Sequence, residues 1–337
     1  MHVGIIGHGN WIPSGRVTAA DLAAATGIPE DVIALKFGVK GKPIAGPGET
    51  TAFMGLAAAH KALASAGIEG GAVDLVIWCG AQHKDYPCWL AGLYVANQIG
   101  AKSAWSFDME AMCGSMMAAL DVAKALMTTH PELETVLLVS GYRNNDLIDP
   151  AVPETRFMLD IGSGGSALVL KKNAGRNAIL ASAFRGDGSL SEMCIVPALG
   201  SKAWPPAAGD LERAHFVVPD EPAFKAKLGE VTMPNFYAVI RESLKLSGLS
   251  EQELDYLAIL HFKRSAHDAV LAELGLRQDQ STYLDEYGHL GQNDQVLSLE
   301  LGLRDGKIHD GSRIVFVGAG LGFVWAATTI QWGPYSE

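Results

Sequence analysis

Cysteine, charge and long apolar runs are all scarce in this chain. Of 337 residues only 4 are cysteine. They stand at Cys79, Cys88, Cys113 and Cys194 with no CxxC spacing, which excludes a disulfide framework and a cysteine-based zinc site. Charged residues make up 19% and the formal net charge is −11. That balance argues against non-specific nucleic-acid binding but leaves room for a local basic patch facing an anionic ligand. No apolar run reaches bilayer-spanning length. Met1 to Gly7 reads directly as a strand, without the basic region, apolar core and cleavage site of a signal peptide, so a cytoplasmic protein with no membrane partner is expected. What is abundant is apolar residue, at 48%, and glycine, at 38 residues. That is the composition of a compact enzyme in which backbone often approaches backbone or ligand.

The pattern along the chain alternates strands and helices, and then repeats. Strands are predicted at Val3–Gly7, Asp74–Trp78, Trp105–Asp108, Thr135–Ser140 and Ala167–Leu170. Helices are predicted at Thr50–Gly67 and Trp89–Ile99, and from Cys113 to about Met127, with helical character over Ala19–Thr26 and Asp31–Phe37. The second part gives helices at Asn235–Ser247, His267–Leu274 and Gln292–Leu303, and strands at Tyr256–Leu260, Arg313–Val317 and Phe323–Trp332. Ala66–Ile77 aligns without gaps on Ser247–Ala258: each is a helix end, an acidic loop, an Asp and a buried strand. Gly162–Gly165 before a strand has its counterpart in Gly318–Gly322. The reading is a duplicated α/β chain with halves at 1–172 and 173–337 and the site between them. The Pro-, Ala- and Gly-rich stretch 185–224 is read as a surface excursion walling the entrance, or as an inert loop.

Chemistry centres on Phe107–Leu120, a strand, a turn and a buried helix opening with Cys113. A thiol at a helix start meets the positive end of the helix dipole and free backbone N–H groups, which favour thiolate. A nucleophilic cysteine needs a base and an oxyanion hole. Among 10 histidines, His261 closes a strand, where ligand-facing residues of open α/β sheets gather, and His289 sits in a glycine-flanked turn before a helix. The competing reading of each is a satisfied structural histidine. Met109, Met112, Met116 and Met117 surround the thiol, either as core or as the lining of an apolar acyl pocket.

These residues resemble the β-ketoacyl-acyl-carrier-protein synthase III family of the thiolase superfamily, nearly end to end. Phe107-Asp108, with Ala111-Met112-Cys113-Gly114, resembles the family's nucleophile motif. Asp255–His261 resembles its histidine strand, and Tyr287-Gly288-His289 falls on its Tyr-Gly-Asn. Gly306–Ser312 followed by Gly318–Trp325 resembles its terminal strand, glycine loop and tryptophan. The resemblance implies a thiolase-like, duplicated five-layered αβαβα fold and a homodimer. It implies acyl-CoA or acyl-carrier-protein thioesters as substrates and no metal or redox cofactor. In that scheme Cys113 takes the acyl group, the backbone N–H groups of Cys113 and Leu321 form the oxyanion hole, and His261 and His289 hold the enolate of a malonyl-type thioester as Nε2–H donors.

The chain departs from the family where it has His289 for Asn, a change that keeps a donor but adds a base and opens acyl transfer or hydrolysis. Asn293 could supply the missing amide if the loop is shifted. His261-Phe262-Lys263-Arg264 replaces the family's His-Gln-Ala-Asn, so Lys263 and Arg264 either meet phosphates or form a solvated basic pair. Gly162–Ser166 replaces Gly-Asp-Gly-Ala-Gly. Lys36 and Arg156 fall near positions that contact CoA phosphates in the family, with ordinary surface cations as the alternative. Val32 stands at its adenine-stacking tryptophan, and Tyr86-Pro87 resembles the loop a neighbouring subunit inserts into the acyl pocket. The leading expectation is decarboxylative Claisen condensation on Cys113. The alternatives are a Cys-dependent acyltransferase and a non-catalytic partner subunit of a heterodimeric synthase.

Overall fold

The computed structural model describes residues 1–80 and 82–336. The first half runs β1 (Val3–Trp11), β2 (Gly15–Thr18), α1 (Ala19–Thr26), the single turn α2 (Glu30–Val32) widening into a π turn at Ile33–Phe37, and β3 (Gly41–Ile44). It continues with α3 (Thr51–Ala66), β4 (Leu75–Gly80), α4 (Ala91–Gln98), β5 (Trp105–Glu110), α5 (Ser115–Thr129), β6 (Thr135–Tyr142) and β7 (Gly164–Lys172). The second half has β8 (Arg176–Gly186), α6 (Glu221–Leu246), β9 (Tyr256–Ile259), α7 (Arg264–Glu273), α8 (Asp294–Arg304), β10 (Arg313–Gly320) and β11 (Val324–Pro334).

The large sheet has the order β5-β4-β6-β7-β1-β8-β11-β10-β9. Read outward from its middle, each half passes from antiparallel to parallel pairing: β4 is parallel to β5 and β6, and β10 is parallel to β9. The halves join through β1 and β8 at Gly4 and Ala178. Outside β9, a one-residue parallel bridge from Leu257 to Ser281 stands where β5 stands in the first half. The repeated Asp has a shared physical cause. Asp74 accepts from the backbone N–H groups of Glu134 and Thr135, both at 2.9 Å, and Asp255 accepts from Arg313 at 2.8 Å. Each carboxylate thus caps the first residue of the neighbouring parallel strand, setting its register.

Three apolar clusters separate five layers. One packs α3 and α4 on the outer face of β4, β6 and β7. A second sets α5 and α8 between the inner faces of the two halves, joining Met116, Leu120, Val296 and Leu299 to Leu75, Tyr256 and Phe316. The third covers β9, β10 and β11 with α6 and α7. The outcome is the αβαβα arrangement, with both central helices starting at the junction of the halves.

Local signals explain most boundaries. Thr50 caps α3 by accepting from Phe53 N–H at 3.2 Å, and Gly67 closes it at φ 67°, a pairing whose cap alone contributes about 1 kcal/mol. β2, β3 and β8 stand where no strand is predicted, and α6 starts earlier than predicted. β8 ends at Gly186 and α6 starts at Glu221, so the excursion expected over 185–224 runs through short turns over 187–220. Helix α6 begins at Glu221, not Asn235, capped by Asp220 accepting from Ala223 N–H at 2.9 Å. Pro234, directly before the expected start, lies inside that helix. Among the described residues no helix is long and apolar enough to cross a membrane.

Candidate active site

Cys113 lies in the 3-10 turn 112–114 that precedes α5, one turn earlier than a true helix start, and is buried. Met112 adopts φ 49°, a conformation that non-glycine residues occupy only when surroundings hold them there. Ser115 supplies that hold. Its Oγ accepts from Ala111 N–H at 2.8 Å and reaches the Met112 and Gly80 carbonyls at 2.6 and 3.0 Å, tying the turn to the end of β4. From the other half Gly320 presses on the same turn. A Cβ there would stand 2.5 Å from Ala111 O and 3.1 Å from Cys113 N, so only glycine lets β10 pass. Leu321, half buried, follows directly beyond this contact.

His289 reaches the thiol. Its backbone is pinned on both sides, N–H to Asp160 O and carbonyl to Gly162 N, both at 2.9 Å. Its Nε2 is 3.1 Å from Cys113 Sγ, and its Nδ1 donates to Asp294 Oδ2 at 2.6 Å. Asp294, the first residue of α8, is fully buried. Its Oδ1 accepts from Leu290 N–H and its Oδ2 also from His261 N–H, each at 2.7 Å. Burial by itself would lower the pKa of His289. The charges and hydrogen bonds of Asp294 and Cys113 outweigh it and hold the imidazole well above its ordinary value. The arrangement is a cysteine, a histidine and a carboxylate in hydrogen-bonded series.

His261 is placed differently from the expectation. Its Nδ1 meets Asp160 Oδ2 at 2.9 Å and its Nε2 donates to Gly38 O at 3.0 Å, so Nε2 is not offered at the thiol. The residue instead joins the site through its backbone N–H to Asp294 and anchors the segment leading out through Phe37. Asn293 likewise does not face the site: its Oδ1 accepts from Ser166 at 2.6 Å and its Nδ2 donates to Leu290 O at 2.8 Å. Lys42, buried behind Asp160, donates to Ile161 O at 2.8 Å, and burial lowers it to about 8 against the opposing pull of Asp160.

Outside Gly38 opens a cleft of about 500 Å³ lined by Val32, Leu35, Lys36, Phe37, Lys263 and Arg264, with Ser265 and Asp268. Lys36 is exposed on its wall, and Lys263 Nζ sits 5.9 Å over the Phe37 ring. Arg264 is already engaged by Asp268 at 2.9 and 3.1 Å and by Gln278 at 3.1 Å. Arg156 is not on this wall; its Nη2 reaches Thr26 O at 3.5 Å. Tyr86 is 64% exposed, in the first half beside α4, edge-on to Trp89 at 5.6 Å.

Three site residues have no place among the sequence candidates: Asp294, Asp160 and Tyr142. Tyr142 ends β6, is buried, and packs its ring 6.2 Å from that of His289. Asp294 had a readable signal, a carboxylate five residues after a glycine-flanked histidine at a helix start. Asp160 and Tyr142 had none.

The chain is similar in sequence and fold to known proteins. Residues 107–188 match the family model described as 3-oxoacyl-[acyl-carrier-protein (ACP)] synthase III, and residues 244–332 match its C-terminal counterpart; together they span just over half of the chain. The β-ketoacyl-[acyl-carrier-protein] synthase III of Rhizorhabdus wittichii is 27% identical over 331 residues, covering 97% of this chain and 98% of that one. The structure of 3-oxoacyl-(acyl carrier protein) synthase III from Pseudomonas aeruginosa superposes with a TM-score of 0.86 at 25% identity, covering 100% of both chains. Xanthomonas campestris OleA shares the fold with a TM-score of 0.83 at 18% identity, covering 98% of this chain and 99% of that one. With Cys113, His261, His289 and the glycine strand all inside the matched stretches, the chain belongs to the 3-oxoacyl-[acyl-carrier-protein] synthase III family of condensing enzymes, within the thiolase superfamily.

Proposed function

We propose that this protein loads an acyl group from a thioester onto Cys113 and condenses it with a malonyl-type thioester. One observation carries the assignment of roles: His289 Nε2 lies 3.1 Å from Cys113 Sγ with Asp294 2.6 Å behind it. The sulfur attacks the thioester carbonyl carbon, the backbone N–H groups of Cys113 and Leu321 receive the oxyanion, and His289 gives its Nε2 proton to the departing pantetheine sulfur and takes up another from water before the second thioester reacts. The second thioester then loses CO₂, its electron pair moving onto the carbonyl oxygen as an enolate. The enolate carbon attacks the acyl carbon, and Cys113 leaves as thiolate. The residues require no metal or redox cofactor for these steps.

The cleft at Lys36 and Lys263 is the entry for the anionic carrier of the acyl group, CoA or acyl carrier protein, with Arg156 a further cation in the first half. Val32 stands at the mouth, and Lys36 and Lys263 are the cations placed for the phosphates. A homodimer is part of the reading. β5 is an open sheet edge, and Tyr86, Leu90, Leu93, Tyr94 and Trp105 beside it are 64, 47, 55, 37 and 50% exposed. An edge strand flanked by apolar side chains is stabilised by pairing, and a second copy brings its Tyr86 loop across.

A second reading, acyl transfer to an amine or alcohol, is favoured by the carboxylate behind His289, since an imidazole so held also serves as base for an O–H or N–H nucleophile. Intact-mass spectrometry after incubation with acetyl-, octanoyl- and palmitoyl-CoA tests the shared step: an adduct is expected on Cys113 and none in Cys113→Ala. Carboxyl-labelled malonyl-CoA added to the loaded enzyme then separates the two readings. Release of CO₂ with a new carbon–carbon bond supports condensation; turnover with an amine and no CO₂ sinks it.

A further inference from the structure

The enolate of a condensing reaction needs donors on its oxygen, and His261 Nε2 is bonded to Gly38 O instead. A different side chain stands at the thiol. Tyr142 closes β6 on the same side of the sheet as the Cys113 turn, and its ring lies against His289 at 6.2 Å and 57°. The position of that ring is enforced by its neighbour. Gly291 has φ 64°, and a Cβ on it would stand 2.6 Å from Tyr142 Cδ2 and Cε2, so the turn that begins α8 is shaped around the tyrosine. That ring therefore stands beside the imidazole whose Nε2 is 3.1 Å from Cys113 Sγ. Imidazole and phenol thus stand side by side at the thiol.

We propose that Tyr142 is a catalytic residue whose O–H donates to the thioester oxygen of the second substrate once Cys113 is acylated. The proposal rests on the condensation reading. The phenol, placed beside the acylated sulfur, donates to the oxygen that gains charge as CO₂ leaves. No proton is transferred: the O–H bond stays intact while the carbon–carboxylate bond breaks and its electron pair moves onto that oxygen. Burial first, and then the charges of Cys113, Asp294 and Asp160, raise the phenol well above its ordinary value, so it remains an O–H donor across the working pH range. His289 and Tyr142 then supply the donor pair that the resemblance assigned to His289 and His261, and His261 is left to fix Gly38 and the entry segment.

The test is Tyr142→Phe, which keeps the ring on His289 and removes only the hydroxyl. Cys113 loading from octanoyl-CoA is read by quenched intact mass, and CO₂ release from carboxyl-labelled malonyl-CoA is read separately on the loaded enzyme. Loading is expected to stay within about threefold of the parent while condensation falls about 10²-fold, the usual effect of removing one oxyanion donor. A purely structural role would slow both half-reactions together, and that result, or condensation within about threefold of the parent, overturns the proposal. So does a His261→Gln variant that loses condensation while Tyr142→Phe keeps it. If the parent loads octanoyl groups but never releases CO₂, the condensation reading itself has failed and this proposal falls with it.

Discussion

Asp294→Asn is the sharpest single perturbation of this site because the carboxylate serves three donors at once. Oδ2 accepts from His289 Nδ1 and His261 N–H, and Oδ1 accepts from Leu290 N–H. An amide has one acceptor atom. If it faces the two donors on the Oδ2 side, its NH₂ meets Leu290 N–H, leaving a buried donor unpaired at about 1–3 kcal/mol. If it turns the other way, two donors are left unpaired and His289 Nδ1–H loses its acceptor. In either orientation the negative charge beside the imidazole is gone, and burial then acts on His289 with less opposition. Loss of the comparable carboxylate in serine-protease triads lowers turnover about 10⁴-fold. Here, with the bonded geometry partly retained, acylation of Cys113 should slow about 10³-fold, equal to about 4 kcal/mol of barrier. Rapid-quench intact-mass spectrometry with octanoyl-CoA measures that step directly, and thermal unfolding measures the lost hydrogen bond independently. A variant that melts lower but loads within about fivefold of the parent would refute the reasoning, since Asp294 would then be a structural cap and nothing more.

Further outcomes follow from other groups. His267 is buried, and that burial lowers it to about 4. The unfolded imidazole binds its proton below about 6.5 and the folded one only below about 4, so stability should fall as pH drops from about 6.5 and level off below about 4. His267→Phe should remove roughly 3 kcal/mol of that dependence in denaturant titrations; an unchanged pH profile would contradict it. Lys263→Glu, alone and with Lys36→Glu, should raise KM for acyl-CoA with kcat nearly unchanged, because these side chains line the entry cleft and do not touch Cys113; an equal loss in kcat would place them elsewhere in the reaction. Leu93→Lys, on the exposed face of α4, should convert a dimer to monomers in light scattering, and an unaltered mass would move the interface away from β5.

Much of this protein was settled by local sequence. The Thr50 cap and Gly67 stop of α3, the paired Asp74 and Asp255, and the apolar strands between them are short-range features, so the duplicated α/β frame could be read from the order of residues alone. Cys113 was legible for the same reason: a small-residue helix after a strand end leaves few places for such a thiol. Tertiary structure decided what faces it. His261 and His289 look alike in sequence, each at the end of an element, but the acceptors that claim the His261 ring, Asp160 and Gly38, lie 101 and 223 residues away. Nothing local announces them. Asn293 and Asp294 are neighbours, and only the path of the 291–293 turn sends one amide to Ser166 and the next carboxylate back over His289. Tyr142 reads as the last residue of a buried strand until Gly291 and His289 are folded against it. A strand or helix is set by contacts a few residues apart, whereas the direction of a buried polar side chain is set by whichever partner the fold brings within about 3 Å.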